Sequence, residues 1–243
     1  MRWKYDTEAT PSRWRSARLA LAERGLLYVL RLAALWATYP LWHLYFKFFP
    51  RTFEFQSARY AYFLHDYNLT WCNERAVEIP IVWAEVDRRR GQRVLEVGNV
   101  LSHYFAVDHE VVDKFEKGGS VRNEDVASFR ADHPYDLIVS ISTLEHIGWD
   151  EEPQDAGKIA RAIDNLSGQL APGGRLVATL PLGYNPNLDA QLALETLGFN
   201  RCHYLKRLGM IRWSEADRAA VTGAGYGERW PGSRGLVIAI VER

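Results

Sequence analysis

The sequence predicts an α/β protein, with helices on both faces of a mostly parallel sheet and a helical extension ahead of it. Three observations carry this. The run Arg93-Val94-Leu95-Glu96-Val97-Gly98-Asn99 reads as a buried strand entering a glycine turn, and Val111-Val112-Asp113 as a second strand ending on a carboxylate one βαβ step later. From Arg93 onward, strand-like and helix-like segments alternate, as in a sheet with crossover helices. The run from Asp136 to Ser142 is apolar and β-branched enough for a central strand buried on both faces.

Residues 1–73 are expected to form a helical, aromatic-rich extension. Arg2, Lys4, Arg13, Arg15, Arg18, Arg24 and Arg31 outnumber Asp6, Glu8 and Glu23, so the arm is basic within a chain of zero net charge. It leads into an apolar stretch from Gly25 to Trp42. Arg31 splits that stretch and Pro40 would kink it, so it is neither a membrane span nor a signal peptide with a small-residue cleavage pattern. Two expectations stand for residues 1–50. One is a helix pair packed on the domain or in a homodimer interface. The other is an interfacial segment, its Trp and Tyr at headgroup depth and its arginines drawn to anionic lipid.

From Phe53 to Asn73 the chain is dense in polar aromatics, among them Tyr60, Tyr62, His65, Tyr67 and Trp71, which suit stacking on sugar rings or ordinary burial equally. A helix is expected from Asn73-Glu74 to about Arg90, with Ala76, Ile79, Val82 and Val86 at helical spacing and Gly91 ending it. Strands are expected at 93–98, 109–113, 120–122, 136–142, 174–181, 201–208 and 235–241. Residues 156–170 read as an amphipathic helix stopped by Ala171-Pro172-Gly173-Gly174. The last two strands flank a polar segment, Met210 to Gly232, and are expected to pair as an antiparallel hairpin.

Zero formal net charge argues against a general nucleic-acid binder. Cys72 and Cys202 are the only cysteines and lie far apart, which excludes a disulfide framework or a zinc-type cluster and fits a reducing cytoplasm, with the inner face of a membrane as the place for an interfacial arm.

The order of motifs resembles a class I S-adenosylmethionine-dependent methyltransferase from residue 74 to residue 243. The matching pieces are Val94-Leu95-Glu96-Val97-Gly98, Val112-Asp113, Asn123-Glu124-Asp125-Val126, Asp136-Leu137-Ile138-Val139 with Leu144-Glu145-His146, and Leu170-Ala171-Pro172-Gly173-Gly174-Arg175-Leu176. The pieces Tyr67-Asn68-Leu69-Thr70-Trp71, Asn73-Glu74-Arg75, Val97 to Tyr104 and Glu145 to Asp150 are similar to a branch that decorates sugars and glycolipids. The resemblance implies a Rossmann-like, seven-stranded, mostly parallel sheet with an antiparallel last strand, and S-adenosyl-L-methionine as cofactor. It also implies methyl transfer to a hydroxyl of a sugar or glycolipid.

It further implies that the donor's methionine part lies by Glu96, Gly98 and Asn99, its ribose on Asp113 and its adenine near Asp125 and Val126. Vicinal hydroxyls suit a bidentate acceptor such as Asp113, and Asp125 suits an exocyclic amine. Where the family usually has another glycine this chain has Asn99, which tolerates positive φ better than most residues. The acceptor needs orientation and loss of a proton. His146, just past the central strand, is the candidate base because its unperturbed pKa of about 6.5 leaves it mostly neutral near pH 7; His103 and His65 stand behind it. Glu145 is read as an orienting or capping group. Trp149, Tyr184, Asn185, His65 and Tyr67 are candidates for the acceptor pocket. Asp150, Glu151 and Glu152 read as a helix start, a solvated turn or part of a divalent-metal site, and no metal ligand is assigned.

Two rivals remain. A strand–glycine–strand–acid unit also serves nicotinamide dinucleotides, although the second and third glycines are missing. A methyltransferase-like module without chemistry, serving as a membrane-associated scaffold, would also explain the altered loop and basic arm, but has no chemical need for Glu96, Asp113 and Asp125 together.

Overall fold

The computed structural model describes residues 21–22, 25–49, 51–118, 121–227 and 231–243. Most of the basic arm, Arg2 through Arg24, therefore lies outside the described residues. Two helices, α1 (Leu26–Ala37) and α2 (Tyr39–Phe48), open the described chain, with Pro40 in the first turn of α2, where its missing N–H costs no helical bond.

The extension is not wholly helical. Strands β1 (Thr52–Phe55) and β2 (Ala58–Ala61) form a hairpin closed by Gln56 and Ser57, both at positive φ. This is a primed two-residue turn without the Asn-Gly or Asp-Gly signal that marks most such turns, which is why the sequence does not announce it. Phe53 and Phe55 are buried in one apolar cluster with Val77, Ile81, Val82 and Trp213, so the hairpin shares a core with the residues that follow position 73.

Helix α3 (Arg75–Asp87) buries Ala76, Ile79, Val82 and Val86, as the spacing predicts. Each large aliphatic side chain buried this way contributes about 1.5–3 kcal/mol. Next come β3 (Val94–Val97), β4 (Glu110–Val112), β5 (Val121–Arg122), β6 (Tyr135–Ile141), α4 (Lys158–Gly168) and β7 (Leu170–Pro181). Helix α4 turns Ile159, Ala162, Ile163 and Leu166 to the sheet. Strand β7 starts earlier than expected: Leu170 already pairs with Tyr135, and the register shifts before Arg175 meets Leu137. The Ala171–Gly174 turn is thus an irregularity inside the strand pairing, and Gly174 is required there because a Cβ would lie 2.8 Å from two backbone oxygens.

The chain ends with α5 (Pro186–Ala193), β8 (Arg201–Arg207), β9 (Trp213–Ala216), α6 (Arg218–Val221) and β10 (Gly235–Glu242). The sheet runs β5-β4-β3-β6-β7-β10-β8-β9. Strands β3 to β7 are parallel, while β10 lies antiparallel between β7 and β8. This is the Rossmann-like class I methyltransferase arrangement with an eighth strand, since β9 adds to the edge of β8. The expected pairing of the last two strands holds, but their connection carries β9 and α6 and is not a plain loop.

Candidate active site

The strand order reverses between β3 and β6, so their carboxyl ends open the crevice in which parallel sheets bind ligands. Gly98 forms its floor on the β3 side, with φ +86° and no room for a Cβ, which would lie 2.1 Å from Thr143 Oγ1. Across the crevice, β6 ends at Ser142, a non-glycine at φ 40° whose hydroxyl donates to Glu78 Oε1 at 2.5 Å. Holding Ser142 left-handed costs of order 1–3 kcal/mol, and the buried bond to Glu78 is what fixes it there.

Glu96 is fully buried. Its Oε1 accepts from the amides of Val100 and Leu101, at 2.9 and 2.7 Å, and its Oε2 lies 2.9 Å from His109 Nε2. It therefore shapes the glycine loop from beneath. Asn99 does not take a left-handed conformation; positive φ in this turn falls on Gly98. Instead its amide donates to Asp113 Oδ2 at 3.2 Å and its side chain to Glu116 Oε1 at 2.8 Å.

Asp113 sits one residue past β4 and accepts from the amides of Phe115 and Glu116 as well. Three of its roughly four lone-pair sites are engaged, so it can take one further donor and not the bidentate pair expected of it. Glu116, which sequence reasoning missed, stands beside it and bonds Asn99 and, at 3.3 Å, His103 Nε2. That bond raises the His103 pKa. The available signal was the Asp113-Lys114-Phe115-Glu116 spacing, which matches a capping box.

Asp125 follows β5 and is held by Lys158 at 2.5 Å, Lys114 at 2.9 Å and the amide of Ala127. Burial opposes its ionisation, yet the two ammonium groups hold its carboxyl down at about 2. Val126 is nearly buried and belongs to the apolar core. Asp125 thus ties the ends of β4 and β5 to the start of α4.

On the β6 side, Glu145 and His146 lie in a 3₁₀ turn, Leu144–His146. His146 Nδ1 is 2.5 Å from Asp150 Oδ2, to which the Tyr184 hydroxyl donates at 2.6 Å. The Tyr184 ring meets the His146 ring edge-on, 4.7 Å between centroids, and meets Tyr226 at 5.1 Å. Glu145 Oε1 is 3.6 Å from His146 Nε2, beyond a normal hydrogen bond. Burial pushes Glu145 up to about 7. Burial alone would lower His146, but the charge of Glu145 and the bond to Asp150 outweigh it and raise its pKa. His146 keeps a quarter of its side chain open, enough for a ligand to reach. Glu145 Oε2, Asp150 Oδ1 and Trp149 Nε1 are buried with no hydrogen-bond partner among the described residues.

The acceptor-pocket candidates divide. Trp149 and Tyr184 belong to this β6-side group. Asn185 does not offer its amide to a pocket: it is buried, caps α5 through the amides of Asn187 and Leu188, and donates to the Glu145 carbonyl. His65 and Tyr67 form the opposite wall. Tyr67 stacks on His103 at 4.7 Å, and His65 meets Tyr104 edge-on at 5.3 Å. Thr70 bonds the backbone of Phe63 and His65, which fixes this wall.

A half-buried Arg75 links the two walls. It pairs with Glu78 at 3.1 Å and donates to the Ile141 carbonyl at 3.0 Å. Its positive charge acts on Tyr67, His103 and Tyr104 on one side and on Glu145 and His146 on the other. Glu74 and Arg75 were read as a helix start and as part of a family resemblance, and Glu78 was not singled out. Their signal is two carboxylates four residues apart around an arginine, just before the apolar run from Ile79 to Ala84. Two surface clefts, of about 290 and 380 Å³, lie by α2 and by the β1–β2 hairpin and contain none of these groups.

No protein-family model matches the chain, and no curated protein matches it. Among solved structures it is similar to the N-methyltransferase NodS from Bradyrhizobium japonicum WM9 bound to S-adenosyl-L-homocysteine. Identity is 15% and the TM-score 0.39, over 70% of this chain and 87% of that one. A possible histamine N-methyltransferase from Thermotoga maritima gives 14% and 0.42, over 70% and 91%. An amino pentose methyltransferase from Micromonospora echinaspora gives 17% and 0.35, over 66% and 88%. No residue role is carried across from likenesses of this size.

Proposed function

We propose that this chain is an S-adenosylmethionine-dependent methyltransferase acting on a hydroxyl of a sugar or glycolipid, with His146 as the base. The observation that carries this is the Asp150–His146 pair beside an ionisable, buried Glu145, on the β6 side of the switch point and opposite the Gly98 turn and Asp113. The residues fit the cofactor: a tight glycine turn, then acids past the next two strands, in the order a nucleoside would need them. Gly98 and Asn99 would border its amino-acid part, Asp113 with Glu116 its ribose, and Asp125 and Val126 the adenine end, with Glu96 acting through the loop it supports. When bound, S-adenosylmethionine supplies an electrophilic methyl group on a sulfonium.

The chain's own work is orientation and proton removal. Asp150 holds the Nδ1 side of His146, so the acceptor's proton is taken at Nε2, and the nearby charge of Glu145 favours the imidazolium that forms. Trp149 and Tyr184 on one side, and His65 and Tyr67 on the other, line the acceptor's approach. The expected outcome for His146→Ala is a fall in turnover of roughly 10²–10⁴-fold with nearly unchanged affinity for S-adenosylhomocysteine by calorimetry. Loss of that affinity, or preferential binding of NADH, would overturn the assignment.

A second acceptor class is favoured by one observation. Among the described residues Glu145 Oε2 and Asp150 Oδ1 are buried acceptors without donors, and an amine on a sugar brings two N–H donors to this pair where a hydroxyl brings one. Intact-mass detection of methyl gain over a panel of free sugars, amino sugars and glycolipids separates the two.

A further inference from the structure

We propose that α1 and α2 form a docking surface for an anionic lipid bilayer, with Lys47 and Arg51 meeting the headgroup phosphates. This is independent of the methyl-transfer assignment. Neither helix has a buried residue. Leu26, Leu27, Leu30, Trp36, Leu41, Leu44, Phe48 and Phe49 are all more than half exposed, and Leu27 reaches 82%. Between Gly25 and Phe49 the only Lys or Arg residues are Arg31 and Lys47, and no acid occurs. A helix facing water normally carries a polar face; here the outward face is the apolar one, and so large an apolar patch marks an interaction surface.

The attachment of the pair to the body fixes which side faces out. Tyr39 packs on buried Trp71 with 5.2 Å between rings, and Phe46 packs against the core that holds the β1–β2 hairpin. Leu27, Leu41, Leu44 and Phe48 are left pointing away. At 1.5 Å per residue a twelve-residue helix spans about 18 Å, short of a hydrocarbon core of about 30 Å. Among the described residues no helix is long and apolar enough to cross a membrane, so the pair would lie in the interface plane.

Charge selects the partner. Where α2 meets the body, a cleft of about 290 Å³ is lined by His43, Phe46, Lys47, Arg51, Tyr62 and Leu64, combining cations with apolar walls. Arg51 is oriented there by the Tyr45 hydroxyl at 2.7 Å. Arg2, Lys4, Arg13, Arg15, Arg18 and Arg24 precede the pair in sequence against three acids, so the whole arm is attracted to a negative surface. A second copy of this chain would bring the same cations against these and is disfavoured.

Flotation of the full chain with vesicles tests this, using phosphatidylcholine alone and with about 30 mole per cent phosphatidylserine. The chain is expected to float with the anionic vesicles. Leu27→Glu with Leu41→Glu should lower the bound fraction roughly tenfold. Lys47→Glu with Arg51→Glu should abolish the preference for anionic over neutral vesicles. All four positions are clear of the crevice, so affinity for S-adenosylhomocysteine should stay unchanged in every variant. Failure to float with anionic vesicles overturns the proposal, as does equal flotation of wild type and variants. It is also overturned by a lipid-free dimer in light scattering that Leu27→Glu dissociates while flotation is absent.

Discussion

On the β3–β4 side of the crevice, Glu96 and Asp113 accept between them from the amides of Val100, Leu101, Asn99, Phe115 and Glu116, and Glu96 also meets His109. On the β6 side, Glu145 and Asp150 each keep a buried oxygen to which none of the described residues donates. The first pair of acids shapes backbone; the second, among the described residues, is left with acceptor capacity unused. Unsatisfied buried acceptors cost about 1–3 kcal/mol each, so they mark where a ligand contributes most.

Gly98→Ala attacks the shaped side most severely. A left-handed alanine costs about 1–2 kcal/mol and the collision with Thr143 about 1–3 more, so a loss near 3 kcal/mol is expected in urea unfolding. Adding Thr143→Ala should return part of the collision cost and none of the backbone cost. Glu96→Gln comes next, with an expected loss of about 2 kcal/mol and weaker binding of S-adenosylhomocysteine, because two charge-assisted amide bonds lose their ionised acceptor. Unchanged donor affinity would show that the loop does not depend on that carboxylate.

Asp150→Asn probes the other side. Asp150 helps raise the His146 pKa, and a base works only when neutral, so turnover rises with pH through that raised value. Removing the charge lowers the pKa and should move the acid limb of the pH–rate profile to lower pH, with turnover down about tenfold as the ring loses its anchor. An unmoved limb would detach His146 from the rate.

Asp125→Asn is the smallest effect. The folded pKa, about 2, lies below the ordinary carboxylate value. Its stabilisation is thus present above the unfolded pKa and lost as pH falls through the folded one. With the pair partly solvated, about 1 kcal/mol or less is expected at pH 7, shrinking in urea titrations at pH 3 and below.

All seven expected strands are present because each rests on local signals: β-branched runs such as Leu137 to Ile141, or the glycine turn at Gly98. The β1–β2 hairpin was hidden because Gln56 and Ser57 adopt positive φ without the usual turn residues. At the site, His146 and Asp150 were legible as positions but their pairing was not, because it crosses a 3₁₀ turn and the extended Ile147 and not a helix. The clamp of Lys114 and Lys158 on Asp125 was not legible, since it joins groups 11 and 33 residues apart through the sheet order. Asn185 looked like a sugar-binding amide and serves as a cap, because residue type alone does not say where the next helix begins.

Strand β10 fills the gap between β7 and β8, although β8 is made first. Until β10 docks during folding, β7 and β8 each therefore present an open edge of unpaired N–H and C=O groups, so closure of the sheet waits on the segment that comes last in the described chain.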